Sequence, residues 1–143
     1  MNIELFTICD AATNTQGKLN VLGAFDTIVA PSFPVVHPQC AVALRIRFGQ
    51  VEQGQHWITL YLVDGMERNV VSPLKGLIDV SVQRSDSSAV ANIVLNIQGM
   101  RLEFPGEYVV KIVIDDCQEV SIPLFVKQFQ HPEHQTAQGL KQN

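Results

Sequence analysis

The chain has 143 residues, 46% hydrophobic and 17% charged, a composition that indicates one folded domain and excludes a disordered chain. Its formal net charge is −4 and its ten basic residues are scattered, so no nucleic acid partner is expected, because such binders concentrate basic residues on one surface. No apolar run approaches the roughly 20 residues that span a bilayer, and the N-terminus lacks signal-peptide features. We therefore expect a soluble, cytoplasmic protein with no membrane partner.

The first two predicted strands are residues 3–9 and 18–30. The second carries Gly23 and Ala24 at its centre, and a glycine within a strand marks a bulge, a bend or the close approach of another segment. Apolar side chains occupy both faces of this strand. We therefore expect it to be a central strand, or to be covered by a second molecule.

The following segment, residues 39–48, alternates apolar and polar positions with a period of two, which is typical of a half-buried strand. One face is apolar, and the other becomes cationic at Arg45 and Arg47. The same alternation predicts strands at 56–64, 76–84, 90–99, 107–115 and 118–126. About eight strands without an amphipathic helix favour an all-β, antiparallel β-sandwich, immunoglobulin-like in general architecture, with a barrel as the alternative.

A turn at Pro105 and Gly106 is predicted just before Tyr108. In immunoglobulin-like sandwiches a tyrosine at such a corner hydrogen-bonds back to the preceding loop, so Tyr108 is interpreted as a feature of the fold. The alternation stops after Val126. We therefore expect a single β-sandwich domain over residues 1–127 and a polar C-terminal tail over 128–143, whose His131 and His134 are interpreted as solvated residues.

Catalytic and cofactor motifs are lacking in the sequence. It has no nucleophile elbow and no glycine-rich phosphate loop. The three cysteines, Cys9, Cys40 and Cys117, are widely spaced and odd in number, so we expect free structural thiols. No catalytic residue and no cofactor are assigned.

Carboxylates recur in loops 10–18, 50–54, 85–89 and 115–118, which meet at one end of the sandwich if consecutive strands alternate in direction. Such an arrangement can collect oxygen ligands for calcium, although aspartate is also favoured in turns for local hydrogen bonding. We interpret these carboxylates as turn residues and keep a calcium site as an alternative. Its candidate ligands are Asp10, Asp86, Asp115 and Asp116, with Glu52 in the same group of loops.

Prolines stiffen the loops at the opposite end, 31–38, 65–75 and 99–106. Stiff loops lose little entropy on binding, and exposed apolar residues there can anchor a protein partner. Capping of the core is the favoured interpretation of these residues, and a partner-binding surface is the alternative. Its residues are Phe33, Val35, Val36 and His37.

Three long phrases of the sequence carry a resemblance: "ELFTICDAA", "GKLNVLGAFDTI" and "FPVVHPQCAVALRIRF", joined later by "LNIQG", "PGEY" and "PLFV". From about Ile3 to Val126 the chain resembles an uncharacterised family of small bacterial all-β proteins, a domain of unknown function. The resemblance implies a bacterial, cytosolic β-sandwich and brings no activity, cofactor or site residue.

The function favoured by these patterns is a non-enzymatic module that binds protein or associates with itself as a homo-oligomer. Edge strands of a sandwich invite pairing with another copy. A small-ligand or calcium-binding sandwich is the alternative. An enzyme with a dispersed site using His37 or Cys40 is the third hypothesis.

Overall fold

The computed structural model describes residues 1–129, which form nine β-strands and one short 3-10 helix, Gln50–Glu52. The strands are β1 (Asn2–Thr15), β2 (Lys18–Phe25), β3 (Thr27–Ala30), β4 (Val35–Gly49), β5 (Gly54–Val63), β6 (Leu74–Val80), β7 (Ser88–Leu102), β8 (Gly106–Ile114) and β9 (Gln118–Gln128). No helix in this part of the chain is long and apolar enough to cross a membrane. Residues 130–143, with His131 and His134, lie outside the described residues.

The strands form two sheets that pack face to face, which confirms the predicted all-β sandwich. Sheet A has the order β2-β1-β4-β7, and sheet B has the order β3-β9-β8-β5-β6. Neighbouring strands are antiparallel, except that β3 runs parallel to β9. The core lies between the sheets, and strand β4 contributes its centre through Val42, Leu44, Ile46 and Phe48, which are fully buried.

The predicted strand 18–30 is divided at Asp26 into β2 and β3, so nine strands replace the expected eight. The chain crosses between the sheets here, and each piece is an edge strand. The expectation of a central strand was therefore wrong. The apolar residues that suggested it include Leu22 and Val29, which are exposed to 70% and 52%.

The β1–β2 hairpin bends at Asp10 and Gly23. Gly23 has a φ of +67°, and a Cβ built on it would overlap the carboxylate of Asp10. Beyond this bend the hairpin packs on the outer face of sheet A, where a second buried cluster consists of Cys9, Ala41 and Ala43, with Ala12, Leu19 and Val21 of the hairpin packed against it. Glycine is required here for two reasons: the positive φ of the bend and the close approach of the Asp10 side chain, and both a bend and a close approach were expected for a glycine within this strand.

The corner before β8 has the predicted form. Tyr108 is 3% exposed, and its Oη donates a hydrogen bond of 2.7 Å to the carbonyl of Phe104. Removing this hydroxyl leaves a partly buried carbonyl without its donor.

We expect Tyr108→Phe to lower the free energy of unfolding by about 1 kcal/mol, measured by urea denaturation. Tyr61→Phe, in a half-buried tyrosine of the same sheet, is the matched control and should change stability less. Equal effects of the two substitutions would contradict a structural role for the corner hydrogen bond.

Candidate functional site

The free edge of sheet A is the most distinctive surface of the fold. Its last strand, β7, is 15 residues long and pairs with β4 along its whole length, from Gly49 opposite Ser88 to Val35 opposite Leu102. Within residues 1–129, no other backbone partner of β7 is found. One side of the strand therefore presents unpaired N–H and C=O groups, which is a template for pairing with another strand.

Over residues 88–97, before Gly99 and Arg101, the sequence of this edge lacks the features that protect edge strands. Natural edges are shortened, bent or marked by charged residues and proline, whereas residues 88–97 (SAVANIVLNI) contain neither a charge nor a proline. Ala89, Ala91, Ile93 and Leu95 pack against the core but remain partly exposed. Val90 is also half-buried, and Asn96 is exposed.

The other three edges are protected. Strand β3 has four residues and β2 has eight with a bend at Gly23. Strand β6 has seven residues and carries Lys75 and Asp79 on exposed positions. An unprotected edge is therefore specific to β7 among the described strands.

Side chains on the outer face of sheet A hold β7 in place. Arg45 and Arg47 donate to Glu4 over 2.9 and 2.7 Å, and these hydrogen bonds, that of Arg47 first, lower the pKa of the Glu4 carboxyl. The same arginines donate to β7, Arg45 to Asn92 Oδ1 (3.1 Å) and Arg47 to Ser88 Oγ (2.9 Å). The predicted cationic face therefore orders the edge strand.

The hairpin tip also reaches β7. Asn92 Nδ2 donates to the carbonyl of Gly17 over 3.0 Å. The edge is thus anchored by β4, by two arginines and by the β1–β2 hairpin. Such preorganisation lowers the entropy lost when a partner binds.

The predicted partner residues at the proline-rich end take two roles. Phe33 and Val35 pack against the core, as the capping interpretation expects. Val36 is exposed to 53%, and His37 is half-buried with its ring 5.9 Å from that of Phe25. The structure does not bring the four side chains together into one exposed patch.

The calcium candidates do not form one set of ligands, although loops 50–54, 85–89 and 115–118 lie at the same end and are linked through Gln50 and His56. Asp10 lies within β1 beside Gly23, because β1 continues to Thr15 instead of ending at residue 9. The expectation that it joins the other carboxylates at one end was therefore wrong. Asp86 and Asp116 lie on exposed turns, and Asp115 is bound by protein donors. Among residues 1–129, no group of three or more His, Cys, Asp or Glu side chains is arranged to hold a metal ion.

Asp115 forms an ion pair with His56 that the sequence did not predict. Asp115 Oδ2 lies 2.6 Å from His56 Nδ1, and Asp115 Oδ1 accepts a hydrogen bond of 2.8 Å from the Trp57 amide. The second ring nitrogen, Nε2, lies 2.6 Å from the carbonyl of Glu52. The ring stacks on Phe48 at a centroid distance of 4.7 Å. Two acceptors on one imidazole are satisfied only when both nitrogens carry protons.

The pKa of His56 follows from this environment. Burial lowers the pKa, but the hydrogen bonds to Asp115 and to the Glu52 carbonyl, with the charge of Asp115, outweigh burial and raise it above 6.5. Because the folded pKa exceeds the unfolded one, the stabilisation is complete below pH 6.5 and is lost as the pH rises through the folded pKa.

We expect His56→Ala to lower the free energy of unfolding by about 2 kcal/mol at pH 6, and by less at pH 8. Guanidinium denaturation at both pH values measures the difference. Asp115→Asn is the matched variant, because it keeps a hydrogen-bond acceptor for His56 but removes the negative charge. In this variant the free energy of unfolding should depend less on pH. A His56 contribution that grows between pH 6 and pH 8 would contradict this assignment.

All three cysteines are free, as predicted. Cys40 is fully buried, and burial raises the pKa of its thiol to about 11. The thiol is therefore protonated at neutral pH and is a poor nucleophile. The hypothesis of an enzyme that uses Cys40 has no support from this geometry.

Comparisons with known proteins give one family. The model of a family of unknown function, DUF6941, matches residues 4–127. No curated protein matches the chain. Among solved structures, the chain is similar to a β-glucosidase from Listeria innocua in complex with isofagomine, at 12% identity and a TM-score of 0.46 over 89% of this chain and 17% of that chain.

A β-glucosidase from Erythrobacter marinus is similar at 14% identity and a TM-score of 0.47, over 85% of this chain and 15% of that chain. The chain therefore spans less than a fifth of the length of these two enzymes. Likeness at this level carries no functional argument.

Proposed function

The chain belongs to DUF6941, a family of unknown function, and we propose that it is a non-enzymatic protein-binding module that associates with itself through the free edge of β7. The observation that carries this proposal is the uncharged, proline-free stretch 88–97 on a 15-residue edge strand. Such an edge is a predicted site of association.

A two-fold symmetric dimer is the simplest assembly that satisfies this edge. In such an interface the same surface is used by both copies, so β7 of one copy pairs antiparallel with β7 of the other. Sheet A then continues across the interface. The outward N–H and C=O groups of residues 88–97 gain backbone partners.

Apolar side chains add to the backbone pairing. Val90 and Val94 flank Asn92 on the outer face, and Ile93 and Leu95 face the core side. All four are half-exposed along the edge, and covering them by a second copy removes apolar surface from water. The charged residues Arg101 and Glu103 lie beyond the stretch and form its polar border.

Sedimentation velocity over a wide range of protein concentration tests the proposal. We expect a concentration-dependent shift from the 15.8 kDa chain to a species of twice that mass. A strict monomer at every concentration, together with no protein partner in a pull-down, would overturn it.

A calcium-binding function is not proposed, because no three of the carboxylates in residues 1–129 are arranged to hold a metal ion and both oxygens of Asp115 already have partners.

A further inference from the structure

A groove of about 720 Å³ lies on the outer face of sheet B, over β5 and β8. Outer faces of sandwiches normally carry the polar residues of the alternating pattern. Here the apolar residues of the floor, which are half-buried to buried, are Tyr61, Val63, Val109 and Val113. Lys111 lies on the same face of β8, between Val109 and Val113 and opposite Tyr61.

The rim of this groove is acidic. It carries Asp64, Glu67, Glu107 and Glu119, and the one cation among the lining residues is Lys111 on the floor. Lys111 is paired with Glu119 at 3.4 Å, and Asp64 is paired with Arg68 at 3.0 Å. Within residues 1–129, Glu67 and Glu107 form no ion pair. The groove therefore has an excess of negative charge that its own residues do not neutralise.

The carboxylates lie at both ends of the groove. Glu119 is opposite Val113 in the β8–β9 ladder, whereas Glu107 lies six positions back along β8, beside the 64–69 loop. Six positions of a strand span about 20 Å. This length accommodates about six residues of extended chain.

We propose that this groove binds an extended basic segment of a partner protein, with aliphatic side chains on the apolar residues of the floor and a Lys or Arg side chain at the end that carries Glu67 and Glu107. Charge complementarity selects this partner chemistry, because like charges across an interface are repelled and opposite charges guide association. The site lies on sheet B, away from the β7 edge, and it is independent of self-association.

Fluorescence anisotropy with the full chain tests this proposal. The probe is the fluorescein-labelled peptide Lys-Lys-Leu-Ser-Leu-Lys-Lys, which should bind saturably. The same peptide with every Lys replaced by Glu should not bind. Replacing both Leu by Ser should weaken binding at least about tenfold, since the floor is apolar. Equal binding of the Leu and Ser peptides would overturn the proposal, because attraction by net charge alone would then suffice.

Protein variants locate the site. E67Q/E107Q should weaken binding about tenfold, and Val113→Arg should abolish it. D79N/D86N makes the same change in net charge at exposed positions outside the groove and should leave affinity unchanged. Equal losses in the two double variants would overturn the assignment. Deletion of residues 130–143 should also leave affinity unchanged, and a gain of affinity would assign the groove to the chain's own C-terminus instead.

Discussion

Val90→Lys combined with Asn96→Lys should convert the self-associated protein into a folded monomer. Both positions lie in the uncharged stretch of β7, and Asn96 is exposed while Val90 is half-buried. A two-fold dimer receives four lysines in one paired region. Two opposed pairs of like charges across the strands cost on the order of 2 kcal/mol in total, so the dissociation constant should rise about thirtyfold. Sedimentation equilibrium measures this change.

The matched control places the same number of lysines on other edges. L22K/L77K changes exposed apolar residues of β2 and β6 and should leave the dimer intact. A second test restores pairing: V90E/N96E mixed with V90K/N96K should give a heterodimer, because opposite charges across strands attract. Loss of the dimer in L22K/L77K but not in V90K/N96K would assign the interface to a different edge.

Gly23→Val should lower the free energy of unfolding by about 3 kcal/mol. Two effects contribute. The left-handed backbone at φ +67° costs about 1–2 kcal/mol for a residue with a Cβ, and more for a β-branched one. The new side chain also meets the Asp10 carboxyl, whose Cγ would lie 2.9 Å from the Cβ. Urea denaturation measures the loss.

A double-mutant cycle separates these two effects. In an Asp10→Ala background the collision with the carboxyl group is removed and only a contact with the Cβ of residue 10, at 3.2 Å, is left, so the loss caused by Gly23→Val should shrink toward the backbone cost. Gly17→Ala is the control for the backbone effect without a collision. Gly17 also has a positive φ, +73°, but no atom of residues 1–129 lies within 4 Å of a Cβ added to it. Stability of Gly23→Val within 0.5 kcal/mol of the parent would contradict the described bend.

Local patterns predicted much of the fold. The alternation in 39–48 placed Arg45 and Arg47 on the outer face, where they bind Glu4. The turn chemistry of Pro105 and Gly106 identified the tyrosine corner, because that motif is contained within a few residues. Such features depend on side-chain period and turn conformation, both of which are local.

Features set by the assembly of distant segments were not predicted. The apolar pattern of residues 18–30 does not show that the chain crosses between the sheets at Asp26, because β2 and β3 both have the pattern of a strand. His56 and Asp115 are 59 positions apart and meet only because β5 pairs with β8. The edge position of β7 likewise follows from the strand order and not from its sequence. The uncharged composition of residues 88–97 can be read from the sequence. It indicates an association site only because β7 has no second neighbouring strand within residues 1–129.

Amide hydrogen exchange across β7 tests the self-association proposal most directly. In an antiparallel ladder alternate amides of an edge strand bond to its neighbour, and the rest point outward. At low concentration the outward amides of residues 88–97 should exchange rapidly while their neighbours are protected by β4. At concentrations that give the dimer, the outward amides should become protected, and V90K/N96K should abolish that protection. Outward amides of β7 that exchange rapidly in a dimeric sample would contradict edge pairing through this strand.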